Sequence, residues 1–474
     1  MGEGDRTGAS MQDTLQQEID AYLENHWEDV VSDMDALVRI QSVEQLDAAA
    51  PGAPYGPGPR AALSKALAIA ERMGLDTHDC EGHIGYADLP GVSETQVGII
   101  GHVDVVPAGP GWHFEPFAVT RQGEYLMGRG VADDKGPLIT ALHAVKFWRD
   151  RGEQLPYTIR VLFGANEETN MKDVAYYRDR YEDPVFLFTP DAEFPVCYGE
   201  AGICSGLLTS APIEGGSIAK MEGGVAVNAV PGLAQASISS PCALEPGDKI
   251  SLEREGDELL VCAHGKSAHA STPHLGENAI DLLASYLISS GCLAPSEEVF
   301  LGLVRKVTSC FDGSGLGVQA QDEHFGSLTA VGGTIRLRDG RLQLSIDFRY
   351  PTTIASSEIE QRVDEVARAY GARFEMQHDK TPFLMDLNSP AVRALIQAYN
   401  EVTDEQAEPF TMKGGTYARV FATGVSFGPE KPWEEKPDWV GSMHGPDEGI
   451  REDLLKQAFA IYVRAIGELM ELEL

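Results

Sequence analysis

Apolar side chains recur at helical spacing from residue 11 to residue 40. Leu15, Ile19, Leu23, Val30, Met34, Leu37 and Val38 fall on one stripe, so an amphipathic helix is expected there. The stretch 48–60 (AAAPGAPYGPGPR) interrupts the pattern with Pro and Gly and predicts an exposed loop. Short apolar runs at 97–100, 158–163, 185–188 and 420–427 then predict buried strands. Between the first two, residues 137–150 place Leu138, Ala141, Leu142 and Val145 on one helical face, with Pro137 in the first turn and Gly152 closing the helix. Residues 452–470 read as another amphipathic helix. Strands alternating with helices predict an α/β fold, a mostly parallel sheet covered by helices on both faces.

From about residue 202 to 382 the texture changes. Alternating segments dominate, 342–349 among them, with two clear helices near 278–288 and 357–369. This is α+β texture inserted into an α/β chain, because strand signals of the first kind resume near Val420. The expected division is a disordered leader at 1–10, a discontinuous main domain over 11–200 and 385–474, and an inserted domain over 201–384. No short-period repeat is present.

The chain has 474 residues, and 37 basic against 73 acidic side chains give a net charge of −36. At about 150 residues per domain, that length suits two or three domains. The acidic excess argues against nucleic acid and against an anionic membrane surface as partners. No apolar run approaches the ~18 residues of a membrane-spanning helix. The first twenty residues lack the basic and apolar regions of a secretory signal, and Arg6 stands where a myristoylation pattern needs Ser or Thr. The seven cysteines form no C-x-x-C pair, which predicts reduced thiols and a cytoplasmic location.

Candidate chemistry gathers at the strand ends, where open α/β sheets build their sites. The first strand leads into Gly-His102-Val-Asp104, with His and Asp two apart and pointing the same way. Asp104 can therefore hold the His102 ring while the other ring nitrogen meets a metal ion. Asp133 and Asp134 follow in a Gly-rich turn before a helix, Glu167 and Glu168 follow the second strand, Asp191 the third, and a late loop carries His444. This set can supply two ions, with one bridging carboxylate, two further ligands for each ion and a shared water. Such a water ionises near neutral pH, and a free carboxylate can serve as its base. Of Glu167 and Glu168, one can ligate while the other acts on the water. Any one of these acids alone reads as a cap or a solvated charge, and Asp134 reads equally as a turn former. Acids at the ends of several buried runs do not. Gly265-Lys266-Ser267 lacks the leading Gly of a phosphate loop, and no H-E-x-x-H or G-x-S-x-G frame occurs.

The strings GHVDVVPAGPGW, GRGVADDKGP, GANEET, TPDAEFP, GKSAHASTPHLGENA, GGTYAR and MHGPDE run in order from about residue 100 to 450. Together they resemble the dizinc aminoacylase/carboxypeptidase-G-like metallopeptidases, and within them the bacterial PepV-type, carnosinase-like dipeptidases. The resemblance implies a dizinc catalytic domain with a lid over 201–384. It implies that His102 and Asp191 ligate one zinc, that Glu168 and His444 ligate the other, and that Asp133 bridges. Glu167 would be the general base, Asp104 the orienter of His102, and a cis peptide would join Asp133 to Asp134. In the lid, Asn228, His269 and Arg349 would hold substrate, His269 stabilising the oxyanion and Arg349 pairing with the C-terminal carboxylate. Gly415 and Thr416 would also contact substrate. One departure is Ala165-Asn166 before the glutamate pair, where many relatives carry an acid. The implied activity is hydrolysis of dipeptides with free termini, with Mn2+ or Co2+ as substitutes for Zn2+, in a monomer. The alternatives are an N-acyl-amino-acid deacylase or carboxypeptidase on the same scaffold, or an inactive peptide-binding homologue.

Overall fold

A computed structural model describes residues 4–239, 244–256 and 258–474, with side chains described from residue 14 onward except Glu255. The chain divides into two compact units. One takes the chain up to Tyr198 together with Met385–Phe410 and Thr416–Leu474, and the other takes Gly199–Leu384 with Thr411–Gly415.

In the first unit the strands lie in the order Asp76–Cys80, Ile84–Leu89, Tyr157–Gly164, Ser93–His102, Phe186–Thr189 and Gly424–Ser426, with Cys197 pairing beyond Ser426. The four from Tyr157–Gly164 to Gly424–Ser426 are mutually parallel, and their outer neighbours are antiparallel. Side chains of a strand alternate between faces, and both faces here are apolar. Ile99, Val161, Phe163, Phe186 and Phe188 join the core made with the helices Gly4–Val38, Pro57–Arg72, Lys135–Arg151, Pro390–Thr403 and Glu452–Met470. Ile100, Leu162 and Leu187 turn the other way, onto Val174 and Tyr177 of the helix Lys172–Arg178 and onto Tyr417 and Phe421. The mostly parallel, doubly covered sheet expected from the chain's pattern is what forms.

Several elements depart from expectation. The expected leader 1–10 lies partly outside the described residues, and the first helix begins at Gly4. The Pro/Gly stretch 48–60 is not all exposed loop: Pro57 opens a helix, and Tyr55 and Pro59 are buried. Proline in a first helical turn forfeits no hydrogen bond, so the residues that suggested a loop instead start a helix. Only Gly424–Ser426 of the expected strand 420–427 is extended, because the chain up to Val420 forms a tight turn capped by Thr416. The expected set of reduced thiols is not what the structure shows throughout. Cys80, Cys204 and Cys310 are free thiols, but Cys292 is disulfide-bonded and Cys242 lies outside the described residues. Pairing is decided by what the fold brings together, which spacing along the chain does not mark. Among the described residues no helix is long and apolar enough to cross a membrane.

The second unit is α+β. Its eight-stranded sheet is antiparallel throughout, running from the edge strand Ile250–Glu255 to the edge strand Arg373–Lys380. Leu342, Leu344, Ile346, Phe348 and Tyr350 of the strand Arg341–Tyr350 join the core made with the helices Ala279–Ser290, Pro295–Thr308 and Ser356–Ala369. Asp347 and Arg349, at the intervening positions, belong to the opposite face. The helix Pro295–Thr308 adds to the two expected.

Candidate metal centre

The strand Ser93–His102 ends on His102, which is fully buried. Its Nδ1 lies 2.9 Å from the backbone carbonyl of Asp104 and 3.5 Å from the Asp104 carboxylate. A proton on Nδ1 donated to that carbonyl leaves Nε2 to face Asp133 Oδ1 at 3.0 Å and Asp191 Oδ2 at 3.6 Å. Asp104 does more than touch the ring. Its two oxygens accept the N–H groups of Glu167, at 3.2 Å, and Glu168, at 3.1 Å, and so fasten the acidic loop to the His102 strand.

Asp133 presents one oxygen to each histidine: Oδ1 to His102, and Oδ2 to His444 Nε2 at 2.9 Å. His444 Nε2 also lies 3.0 Å from Glu168 Oε2. The Asp133–Asp134 peptide is cis. Asp134 turns away from this cluster, its Oδ2 accepting the His102 N–H at 3.0 Å. His444 itself sits at φ +63°, a region sparsely populated for residues other than glycine and frequent at sites the surroundings over-determine. Ligand atoms of His102, Asp133 and Glu168 all lie within 4.8 Å of one another, and so do those of His102, Glu167 and Asp191.

Two imidazoles thus stand among the carboxylates of Asp104, Asp133, Asp134, Glu167, Glu168 and Asp191. Burial, reinforced by neighbouring carboxylates, raises Glu167 and Asp191 well above the ordinary carboxyl range and raises Glu168 as well. Burial opposes ionisation of Asp133 also, but its bonds to His102 and His444 outweigh this and hold it low. Hydrogen bonds to Asp133 and Glu168 lift His444 to about 10. This excess of inward-facing negative charge is what divalent cations would offset, and oxygen and imidazole donors suit Zn2+, Mn2+ or Co2+. The donor set fits two metal ions.

The expected substrate residues fall as follows, each within its own unit. Asn228 and His269 lie side by side: Ala229 pairs with His269, and the Asn228 carbonyl accepts the Ala270 N–H at 2.9 Å. Both side chains are exposed, and His269 Nδ1 lies 2.7 Å from Ser271 Oγ. Arg349 is buried and doubly bound to Asp347, through Nε at 2.7 Å and Nη2 at 3.3 Å, while Nη1 donates to the Lys413 carbonyl at 3.0 Å. That leaves one donor on each terminal nitrogen. Gly415 is half-buried, whereas Thr416 is buried with its hydroxyl capping the following turn and 3.0 Å from Ser426 Oγ.

Asp173 is a supporting residue that the sequence does not mark. Asp173 accepts the N–H groups of Ala165, at 2.7 Å, and Asn166, at 2.9 Å, together with the Tyr417 hydroxyl, and so anchors the loop that leads to Glu167. Burial pushes its carboxyl up to about 6. Its only sequence signal is an acid in the first turn of a short helix, which reads as an ordinary cap.

The model of peptidase family M20/M25/M40 matches residues 98–468. The chain is 31% identical over 459 residues to YtjP of Bacillus subtilis, covering 93% of this chain and 97% of that one. It is 32% identical over 458 residues to the Beta-Ala-Xaa dipeptidase of Lactobacillus delbrueckii subsp. lactis, covering 93% and 96%. Human carnosine dipeptidase 1 shares the fold, with a TM-score of 0.59 at 16% identity over 96% of this chain and all of that one. A match of that length, on a chain whose strand ends gather this donor set, makes the protein a member of peptidase family M20/M25/M40 and a metallopeptidase.

Proposed function

We propose that the protein is a dipeptidase that hydrolyses the peptide bond of dipeptides with free amino and carboxyl termini, using two divalent metal ions. The observation that carries the two-ion reading is Asp133, whose oxygens face two different histidines at 3.0 and 2.9 Å. The dipeptide specificity is supported by the 32% identical Beta-Ala-Xaa dipeptidase.

In this reading His102 and Asp191 hold one ion, Glu168 and His444 the other, and Asp133 both. Ions in those positions supply Lewis acidity and a water that ionises near neutral pH. Glu167 takes the proton from the attacking water and returns it to the leaving amine, a task suited to a carboxyl whose affinity for protons burial has raised. Asp104 keeps Glu167 and Glu168 in register with His102 through its two backbone bonds. Substrate binding is assigned to Asn228, His269, Arg349, Gly415 and Thr416. Asp347 fixes one edge of the Arg349 guanidinium, and the donors that remain on its two terminal nitrogens match a carboxylate. His269 donates to the oxyanion. Zinc is the proposed metal, and the proposed state is a cytoplasmic monomer, whose mass sedimentation checks.

The experiment is hydrolysis of free dipeptides, β-alanyl ones included, beside their N-acetylated forms, with metal and then with chelator. Chelator-sensitive cleavage of the free set alone is expected. Cleavage of the acetylated set would make the protein a deacylase, and no cleavage of either with metal bound would refute the peptidase reading.

A further inference from the structure

An ion pair behind the metal centre belongs neither to the ligand set nor to the substrate residues. Arg129 is 1% exposed and Glu448 0%. Arg129 Nη1 donates to Glu448 Oε2 at 2.5 Å. The other oxygen, Glu448 Oε1, accepts three backbone N–H groups: Gly130 at 2.9 Å, Ala132 at 3.0 Å and Asp133 at 3.2 Å. Arg129 Nη2 faces the carbonyls of Pro107 at 3.3 Å, Ala108 at 3.5 Å and Gly445 at 3.1 Å. Two side chains thus fasten three segments to one another. One descends from His102 and Asp104, one presents Asp133, and one carries His444 four residues before Glu448.

Burying both charges costs their hydration, and an apolar pair of similar volume often serves stability as well or better. What an apolar pair cannot do is collect amide and carbonyl groups of separate loops onto fixed points. Asp133 illustrates the consequence: the N–H of the residue whose oxygens face both histidines is held by a carboxylate from the His444 loop. A shift of either loop would therefore change the spacing between Asp133 and His444.

We propose that Arg129 and Glu448 are positioning residues that set the relative placement of the Asp133 and His444 loops for metal binding. This rests on the two-ion reading above. Carboxylates that orient ligands from outside a metal site typically contribute about 10- to 100-fold to metal affinity, and that is the range expected here.

The test is chelator competition on the metal-loaded full chain, with metal counted per chain and melting followed on the metal-free protein. The wild-type count tests the two-ion reading. The change from wild type to variant tests the positioning role, whichever count is found. Glu448→Gln keeps the shape but loses the charge on which the guanidinium and three amides converge, and should weaken metal retention about 10- to 100-fold. Arg129→Met/Glu448→Gln leaves no unpaired buried charge, so its melting temperature should recover toward wild type while metal retention stays at least about tenfold weaker. Recovery of wild-type metal retention together with stability would show the pair to be structural only and overturn the proposal. So would metal retention by Glu448→Gln equal to that of wild type. If Glu448→Gln alone fails to fold, the double variant decides by the same criterion.

Discussion

Replacing Glu167 by Gln changes a carboxylate to an amide of the same shape, in a loop whose position does not depend on that side chain. The loop is held by the Glu167 and Glu168 N–H groups on Asp104 and by the Ala165 and Asn166 N–H groups on Asp173. The variant should therefore keep Glu168 in place and retain its metal. What it loses is the proton acceptor. A positioned general base contributes about 10²- to 10⁴-fold to rate, which at about 1.4 kcal/mol per tenfold raises the barrier by roughly 3–5 kcal/mol. KM should change little, and the metal-free variant should melt no lower than wild type, because burial and the charges of Glu168, Asp133 and Asp104 all oppose the ionisation of Glu167. The assay is steady-state hydrolysis of a dipeptide with metal counted on the same preparation. A competing role is visible in the structure: a Glu167 oxygen lies within 4.8 Å of ligand atoms of His102 and Asp191. If the variant loses an ion, Glu167 is a ligand and the base lies elsewhere. If metal is retained and kcat stays within about threefold of wild type, a loss far smaller than general-base removal brings, the assignment is wrong.

Chelation should abolish hydrolysis, lower the melting temperature by removing the charge that offsets the inward carboxylates, and be reversed by Zn2+, Mn2+ or Co2+; activity persisting in metal-free protein would refute the metal requirement. Arg349→Ala should raise KM more than it lowers kcat and should also lower the melting temperature, because Asp347 is left buried and unpaired; unchanged KM would remove Arg349 from the substrate residues. Asp173 has its folded pKa raised to about 6 from 3.8, so its contribution to stability is fully present below about pH 4 and lost as the pH rises through 6. The unfolding free energies of wild type and Asp173→Asn should accordingly diverge by about 3 kcal/mol across that interval, and a constant difference would refute the shift. Asn278 accepts the N–H groups of Ile280 and Asp281 and donates to the Gly332 carbonyl; Asn278→Ala should cost about 1–2 kcal/mol in denaturant unfolding.

The parallel strands were readable because strands covered on both faces run apolar without alternation, as residues 97–100 and 185–188 do. Four helices, Pro57–Arg72, Lys172–Arg178, Pro295–Thr308 and Pro390–Thr403, are not expected from the sequence, and two of them show why. Pro57–Arg72 begins in Pro and Gly, which outweighed the alanines and leucines that follow. Pro295–Thr308 has the proline start and the stripe Phe300, Leu303, Val304 and Val307, but also Glu297, which is wholly buried and accepts the N–H groups of Ser217 and Ile218. A residue that looks solvated in the sequence there ties a helix to a neighbouring strand. The same physics divides the metal centre. His102, Asp133, Glu167, Glu168, Asp191 and His444 were legible as candidates because acids at the ends of several buried runs, taken together with a distal histidine, have no bland explanation. Glu448, Arg129 and Asp173 were not, because their partners are backbone N–H and carbonyl groups, which every sequence supplies everywhere. Side chains that meet a ligand leave a pattern of residue types, whereas side chains that hold loops in place leave none. The parts of this site whose removal would be hardest to foresee from sequence are therefore the acids and the arginine outside the proposed ligand set.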